Sequence, residues 1–312
     1  MFYSMILIDY SQIAVSNLHQ QLKGGKSRGP AHYERYNSFG IPTTNTEDIE
    51  DPGGIIKPDL LRHMILNSIR RVNREFGAKY GQIVICTDNQ SYWRKGVFKH
   101  YKANRKKTRD SSDIDWKLFF EILYQLRDEI KETFPYKVMN VPLAEADDVI
   151  GVVTKHFHQQ EKILILSGDK DFMQLQVYPN VEQYSPTKNE FMKTNEPELF
   201  LREHILRGDV GDGVPNYLSP DDVFVTGGRQ KPMITTKVDV WVHQQPSEFC
   251  DETTIKNYER NRKLVDLKEI PADVQEAILK EFALPIIGNT NKIYSYLIKH
   301  RMRNLLELIR EF

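Results

Sequence analysis

The chain has almost no cysteine: two in 312 residues, Cys86 and Cys250, too few for a disulfide framework. Cys86 lies inside an apolar run and reads as a small buried thiol, which fits a reducing compartment. No stretch approaches the ~20 apolar residues that a membrane-spanning helix needs. The amino terminus also lacks the basic-then-apolar order of a secretory leader. A cytosolic protein with no membrane span is therefore expected. Charge of one sign is not in excess either, because Lys plus Arg and Asp plus Glu both number 43. That balance conceals strong local segregation of acids and bases along the chain.

What remains is an ordinary globular composition, 40% hydrophobic and 28% charged, enough for one large domain or a large one with a smaller partner. Short aliphatic runs recur, each stopping at an acid. Met5-Ile6-Leu7-Ile8 runs into Asp9, Gln82 to Thr87 into Asp88, and Ile163-Leu164-Ile165-Leu166 through Ser167-Gly168 into Asp169-Lys170-Asp171-Phe172. Runs this short, bounded by turn residues, are the pattern of strands buried on both faces of a parallel sheet. Lys137 to Val141 and Val181 to Tyr184 read as further strands. Between them lie amphipathic helices, one with Leu61, Ile65, Ile69, Val72 and Phe76 at three- and four-residue steps, another from Trp116 to Phe134. Alternation of this kind predicts an α/β fold, a mostly parallel central sheet flanked by helices.

Two segments break the pattern. From about Lys23 to Lys57 the chain turns to Gly, Pro, Asn, Thr and acids, the composition of a mobile insertion without repeats. After about residue 186 helices predominate: Pro197 to Arg207, then Ile255 to Leu267, Ala272 to Phe282 and Ile293 to Glu311. The expected organisation is an α/β core over 1–185 and a smaller, mainly helical portion over 186–312.

The candidate site residues are acids at equivalent topological places: Asp9, Asp88, Glu145, Asp147, Asp148, Asp169, Asp171, Asp209 and Asp212. Each stands at a strand exit, a helix opening or a glycine turn. One such aspartate alone is more often a turn former or helix cap, and Glu145, Asp147 and Asp148 would be favoured at a helix start by its dipole. Several clusters in register favour a metal site. Donors of oxygen alone point to a hard cation, Mg²⁺ or Mn²⁺, and two such ions suit phosphodiester hydrolysis. Opposed to this rim is a basic, aromatic segment, Tyr92 to Arg109, without an acid until Asp110. Following directly on the acid of the second strand, it should overhang the site and contact phosphate.

The order Leu7-Ile8-Asp9, Cys86-Thr87-Asp88, Tyr101-Lys102-Ala103-Asn104-Arg105, Glu145-Ala146-Asp147-Asp148, Ser167-Gly168-Asp169-Lys170-Asp171-Phe172 and Gly208-Asp209-Val210-Gly211-Asp212 resembles the flap endonuclease/5′-nuclease family, in particular its phage ribonuclease H branch. The resemblance implies a PIN-like fold with a helical arch at about 92–109. It also implies a two-Mg²⁺ enzyme, with Mn²⁺ as a substitute, that hydrolyses phosphodiesters at 5′ ends. The implied substrates are RNA–DNA hybrids, 5′ flaps and nicked duplex DNA, and the implied setting is removal of RNA primers in phage replication.

By motif match Asp9, Asp88, Asp147, Asp169 and Asp171 are the inner acids, with Glu145, Asp148, Asp209 and Asp212 binding metal directly or through water. Lys102 corresponds to the lysine that polarises the scissile phosphate. Tyr92, Arg94, Lys99, Tyr101, Arg105, Lys106 and Lys107 are candidate nucleic-acid contacts. A monomer is expected, with a single-stranded-DNA-binding protein or a sliding clamp as further candidate partners. The rival readings are a PIN-type single-strand ribonuclease, which lacks the basic segment and the extra helices, and a noncatalytic nucleic-acid binder. One departure stands out. Asn216-Tyr217-Leu218-Ser219-Pro220-Asp221-Asp222 replaces the glycine-rich helix-hairpin-helix with which most family members grip duplex.

Overall fold

The structure, a computed structural model, describes residues 4–24 and 55–312. Most of the insertion expected at about 23–57 lies outside the described residues. Its two ends are tied together: Gln21 Nε2 donates to the Lys57 carbonyl at 3.0 Å, and the Lys57 amide donates to Gln21 Oε1 at 3.2 Å.

Strands β1 (Met5–Asp9), β2 (Gln82–Cys86), β3 (Lys137–Met139), β4 (Ile163–Leu166) and β5 (Val181–Ser185) are parallel, and β6 (Glu190–Met192) closes one edge antiparallel. Their spatial order is β3-β2-β1-β4-β5-β6. The chain thus builds outward from β1 to β3 and then returns to place β4 on the other side of β1. Such a reversal opens a crevice at the carboxyl ends of the two strands. Leu7 of β1 sits in register with Val84 on one side and Ile165 on the other.

Alternate residues of β1 feed the two faces, as a two-residue period demands. Ile6 and Ile8 join one core and Met5 and Leu7 the other. The first core is covered by α1 (Tyr10–Gly24), α2 (Pro58–Tyr80) and, beyond the short α3 (Arg94–Val97) and α4 (Ala103–Asp110), by α5 (Trp116–Thr133). Pro58 at the first turn and Gly81 with φ 73° after the last one delimit α2, the usual asymmetry of helix ends. The second core is covered by α6 (Ala146–Phe157).

The carboxyl-terminal part does not stand apart as a unit. Helices α7 (Pro197–Arg207), α8 (Thr235–Trp241), α9 (Pro246–Phe249) and α10 (Glu252–Val265) surround a third core containing Ile205, Tyr217, Val238 and Tyr258. In contrast α11 (Ala272–Ala283) packs Val274 and Ile278 into the second core, while α12 (Thr290–Lys299) and α13 (Arg303–Glu307) bring Ile293, Leu297 and Leu305 to the first. The single helix expected over 293–311 is broken at Arg301, whose φ is 55°. In place of the glycine-rich hairpin, Asn216 and Ser219 form a buried polar anchor. Asn216 Nδ2 donates to the Lys231 carbonyl at 2.9 Å, and the Lys231 amide donates to Ser219 Oγ at 2.8 Å. No helix among the described residues is long and apolar enough to cross a membrane.

The link between α11 and α12 is docked tightly on the end of α5. The Asn289 amide donates to the Thr133 carbonyl at 3.1 Å, and a Cβ on Gly288 would overlap the Phe134 backbone. Gly288→Ala should therefore cost about 1–3 kcal/mol as a forced backbone shift, measured by urea unfolding. An unchanged midpoint would mean that the link is not seated there.

Candidate metal centre and nucleic-acid interface

The switch point between β1 and β4 collects the acids. Asp9 ends β1 and is buried, its Oδ1 accepting from the Gln12 amide at 3.1 Å and its Oδ2 from Ser167 Oγ at 3.1 Å. Asp88, two residues past β2, accepts from Ser11 Oγ at 2.7 Å and from the Ala146 amide at 2.9 Å, which ties the start of α1 to the start of α6. Glu145 caps α6 in a capping box with Asp148, a pairing that satisfies otherwise orphaned amides. Asp147 follows on the first turn. Asp169 caps the 3-10 helix Lys170–Val177, its carboxylate accepting from the Asp171 amide at 3.0 Å.

Crowding governs the electrostatics. Burial, then the charges of Asp88 and Asp169, push the Asp9 carboxyl up to about 7. Burial and Asp169 push Asp171 up to about 7, despite the counter-pull of His204. Asp147 is likewise held well above the usual carboxylate range by burial and by Asp169. These are the shifts expected where like charges share a desolvated site. Asp209 behaves oppositely: burial would raise it, but His204 and the Asp212 amide, which donates at 2.9 Å, hold it at about 2.

Two partly separate donor groups result, with Asp169 felt by both. One is Asp9, Asp88, Asp147 and Asp169. The other is Asp171 and Asp209 with His204, one donor atom from each lying within 4.8 Å of the others. His204 Nδ1 is 3.4 Å from Asp171 Oδ1, and Nε2 is 3.5 Å from Asp209 Oδ2. Nδ1 is sealed from solvent without a hydrogen-bond partner. Crowded carboxylates and a sealed, unsatisfied nitrogen beside them are a donor set that fits divalent cations.

The basic segment stands over this rim and is bolted to it. Lys102 takes a left-handed backbone, φ 58°, ahead of α4, and its amide donates to the Asp212 carbonyl at 2.7 Å. Its ammonium pairs with Glu145 and lies 3.5 Å from Asp212. Burial works against that charge, but Asp212 and Glu145 outweigh it and keep Lys102 protonated. Asn104 Nδ2 donates to the Val210 carbonyl at 2.7 Å, and Arg105 pairs with Asp212. Lys106 and Lys107 face solvent along an α4 that buries no side chain, and Lys99 is exposed in the link that precedes it. Tyr92 is half-buried, edge-on to Tyr101, with Lys95 Nζ 4.4 Å from its ring centre.

The comparisons with known proteins agree with this geometry. Residues 57–203 match the family described as 5′-3′ exonuclease, N-terminal resolvase-like domain, and residues 195–312 match T4 RNase H, C terminal. The chain is 35% identical over 268 residues to the ribonuclease H of Enterobacteria phage T4, covering 82% of this chain and 88% of that one. The chain belongs to the 5′-3′ exonuclease family. A 5′-3′ exonuclease of Buchnera aphidicola subsp. Acyrthosiphon pisum is 34% identical over 143 residues, 43% of this chain and 46% of that one. The fold is shared with the D15 protein of phage T5 crystallised with metal ions, at TM-score 0.56 and 16% identity over 89% of this chain and 96% of that one. The mostly parallel sheet is accordingly the PIN-like fold of 5′ nucleases, and the chain is a phosphodiester-cleaving enzyme. Neither a PIN-type ribonuclease nor a noncatalytic binder is needed to explain it.

Within this 5′-3′ exonuclease, several expected contacts lie elsewhere than the sequence suggests. Arg94, expected on phosphate, is 3% exposed and pairs at 2.8 Å with both Glu145 and Asp148. Asp148, expected as a metal ligand, is 0% exposed and also accepts from Trp93 Nε1 at 3.1 Å. Its place on the α6 surface that packs against α3 turns it from the rim into the interior. Tyr101, expected on nucleic acid, is buried, its hydroxyl donating to Asp212 at 2.7 Å. His204 is a site residue that the sequence pattern does not single out. Its one sequence signal is its place five residues before Asp209, in the last turn of α7, where a helix C-terminus favours a cation.

Two outcomes follow from these charges. Arg94→Ala strands two buried carboxylates and should cost about 3–5 kcal/mol in urea unfolding; a loss under 1 kcal/mol (a factor of roughly 5) would remove the pair from the structure's supports. Asp171 holds its proton more tightly folded than unfolded, so ionising it costs stability increasingly as pH rises from about 4 to its folded value of about 7. In EDTA, Asp171→Asn should therefore be more stable than the parent, by a margin that widens from pH 5 to pH 7.5 in thermal melts. A margin that shrinks with pH would contradict the crowding.

Proposed function

We propose that this 5′ nuclease is structure-specific and uses two Mg²⁺ ions, Mn²⁺ substituting, to remove RNA primers from RNA–DNA duplexes and to trim 5′ flaps or nicked duplex DNA during phage replication. The observation that carries the reading is the juxtaposition of a crowded acid rim at the sheet's switch point with a solvated basic helix, joined by Lys102. That the ribonuclease H of phage T4 is 35% identical over 82% of this chain supports the ribonuclease H assignment. A phage T5 D15 flap endonuclease structure with DNA and metal ions, TM-score 0.56 and 15% identity over 89% of this chain and 97% of that one, supports nucleic acid as substrate. A monomer in the host cytoplasm, working beside a single-stranded-DNA-binding protein or sliding clamp, completes the reading.

Asp9, Asp88, Asp147 and Asp169 would hold one ion and Asp171 and Asp209 the other, with Asp212 and Glu145 reaching them directly or through water. When bound, such a pair lowers the pKa of an attacking water and neutralises charge on the leaving oxygen. The protein's own groups do the rest. Lys102, charged and held at the rim by two carboxylates with the Tyr92 and Tyr101 rings beside it, exchanges Glu145 and Asp212 for a non-bridging phosphate oxygen once substrate arrives, and so stabilises charge that develops there. Lys99, Arg105, Lys106 and Lys107 track the backbone of the 5′ strand through their charge. Tyr92 offers a ring to an unstacked base. Arg94 and Tyr101 keep Glu145 and Asp212 in place beneath.

Lys102→Ala should lower kcat by roughly 10²–10³ with a much smaller change in substrate Kd, measured in single-turnover and binding assays. A defect in affinity alone would reduce Lys102 to a tether. Lys106→Ala with Lys107→Ala should leave kcat near that of the parent and flatten the salt dependence of binding by about 1–2 in log–log slope; an unchanged slope would take α4 off the substrate path.

A further inference from the structure

The outer end of the acid rim is built from three different elements. Asp171 opens the 3-10 helix after β4, His204 lies in the last turn of α7, and Asp209 follows the left-handed Gly208. The 3-10 helix and α7 pack against each other, so His204 is wedged between the two aspartates with its side chain only 12% exposed. Asp212, by contrast, is committed to the Tyr101 hydroxyl, the Lys102 ammonium and the Arg105 guanidinium. The groups left to converge at this end are therefore two carboxylates and an imidazole, within 4.8 Å of one another. The Nδ1 atom has neither solvent nor a hydrogen bond to satisfy it.

Resting on the two-ion reading above, we propose that His204 supplies a nitrogen ligand to the second cation beside Asp171 and Asp209, making this position selective for Mn²⁺ over Mg²⁺. An imidazole in place of an oxygen donor shifts preference away from Mg²⁺, which takes oxygen almost exclusively, toward the transition metals. The two positions then differ in kind. The inner one, with Asp9, Asp88, Asp147 and Asp169, is all oxygen and accepts either ion. The outer one carries the discrimination. The plainer role for His204, a bridge that merely orients the two carboxylates, places no nitrogen on the ion and makes no distinction between metals.

The probe is Mn²⁺ itself, added at two equivalents to the intact protein, with electron spin echo envelope modulation to read nitrogen bound to the ion. The expected result is ¹⁴N modulation from a directly coordinated imidazole in the parent, absent in His204→Gln. Mn²⁺ titration of the variant should show one of two sites weakened about tenfold or more, of the order seen when a metal's supporting groups are lost, while Mg²⁺ binding changes less than threefold. Should His204→Gln fail to fold, His204→Asn and the parent spectrum carry the same test. Mn²⁺ bound at two sites without ¹⁴N modulation overturns the ligand role and leaves the two-ion nuclease standing. Failure of the parent to bind Mn²⁺ at all overturns both.

Discussion

Repulsion among buried carboxylates is the constraint on which the rest of this molecule depends. The parallel order β2-β1-β4 brings three strand exits side by side, and each delivers an aspartate to the same crevice. Burial and mutual charge hold Asp9 and Asp171 near neutrality's edge, at about 7. A fold that only needed to be stable would not keep such an arrangement, because each acid costs free energy once ionised. A divalent cation at this site would convert that cost into affinity. The second core and the α6 capping box fix the elements that carry the acids, so the acids are not free to relax apart.

The basic segment is organised by the same acids. Glu145 is the hinge: it caps α6, accepts Arg94 from beneath and Lys102 from above. Asp212 does the equivalent work on the far side, taking Tyr101, Lys102 and Arg105. Cations of one short segment are thus sorted by depth. Arg94 goes to the interior, its Nη1 shared by two carboxylates and its Nε donating to the Leu264 carbonyl, a spread of donors that its planar guanidinium suits. Lys102 stays at the boundary, and Lys106 and Lys107 stay in water.

The sheet was legible because buried parallel strands announce themselves as short aliphatic runs, and Ile163 to Leu166 and Met5 to Asp9 are strands at the places those runs predict. Helices α2 and α5 are legible from their apolar faces, one introduced by Asp59 and the other ended near Pro135, and α7 from the Gly208 that stops it. The edge strand β6 and the short helices α8 and α9 were not, since three to seven residues carry too little periodicity to stand out. At the site, residue type gave chemistry but not depth. Nothing in Tyr92 to Arg109 distinguishes the buried Arg94 and Tyr101 from the exposed Lys106, because depth is set by α10, whose Leu264 carbonyl accepts from Arg94 Nε at 2.9 Å, far along the chain. Asp148 leaves the rim for a similar reason: neighbouring acids on a helix point about 100° apart, so beside Asp147 it turns inward to Arg94 and Trp93. His204 is silent in the sequence because a lone histidine on a helix has no signal until its neighbours in space are known.

The proposed function rests on a cation drawing the crowded acids into a catalyst that works from the 5′ end. Its most direct measurement is cleavage of a 5′-labelled RNA–DNA hybrid and a 5′-flap duplex by the purified chain across a Mg²⁺ titration, beside an EDTA control. Short 5′ products that appear only with the metal are the predicted result. Intact substrates at every Mg²⁺ and Mn²⁺ concentration, or cleavage undiminished in EDTA, would contradict it.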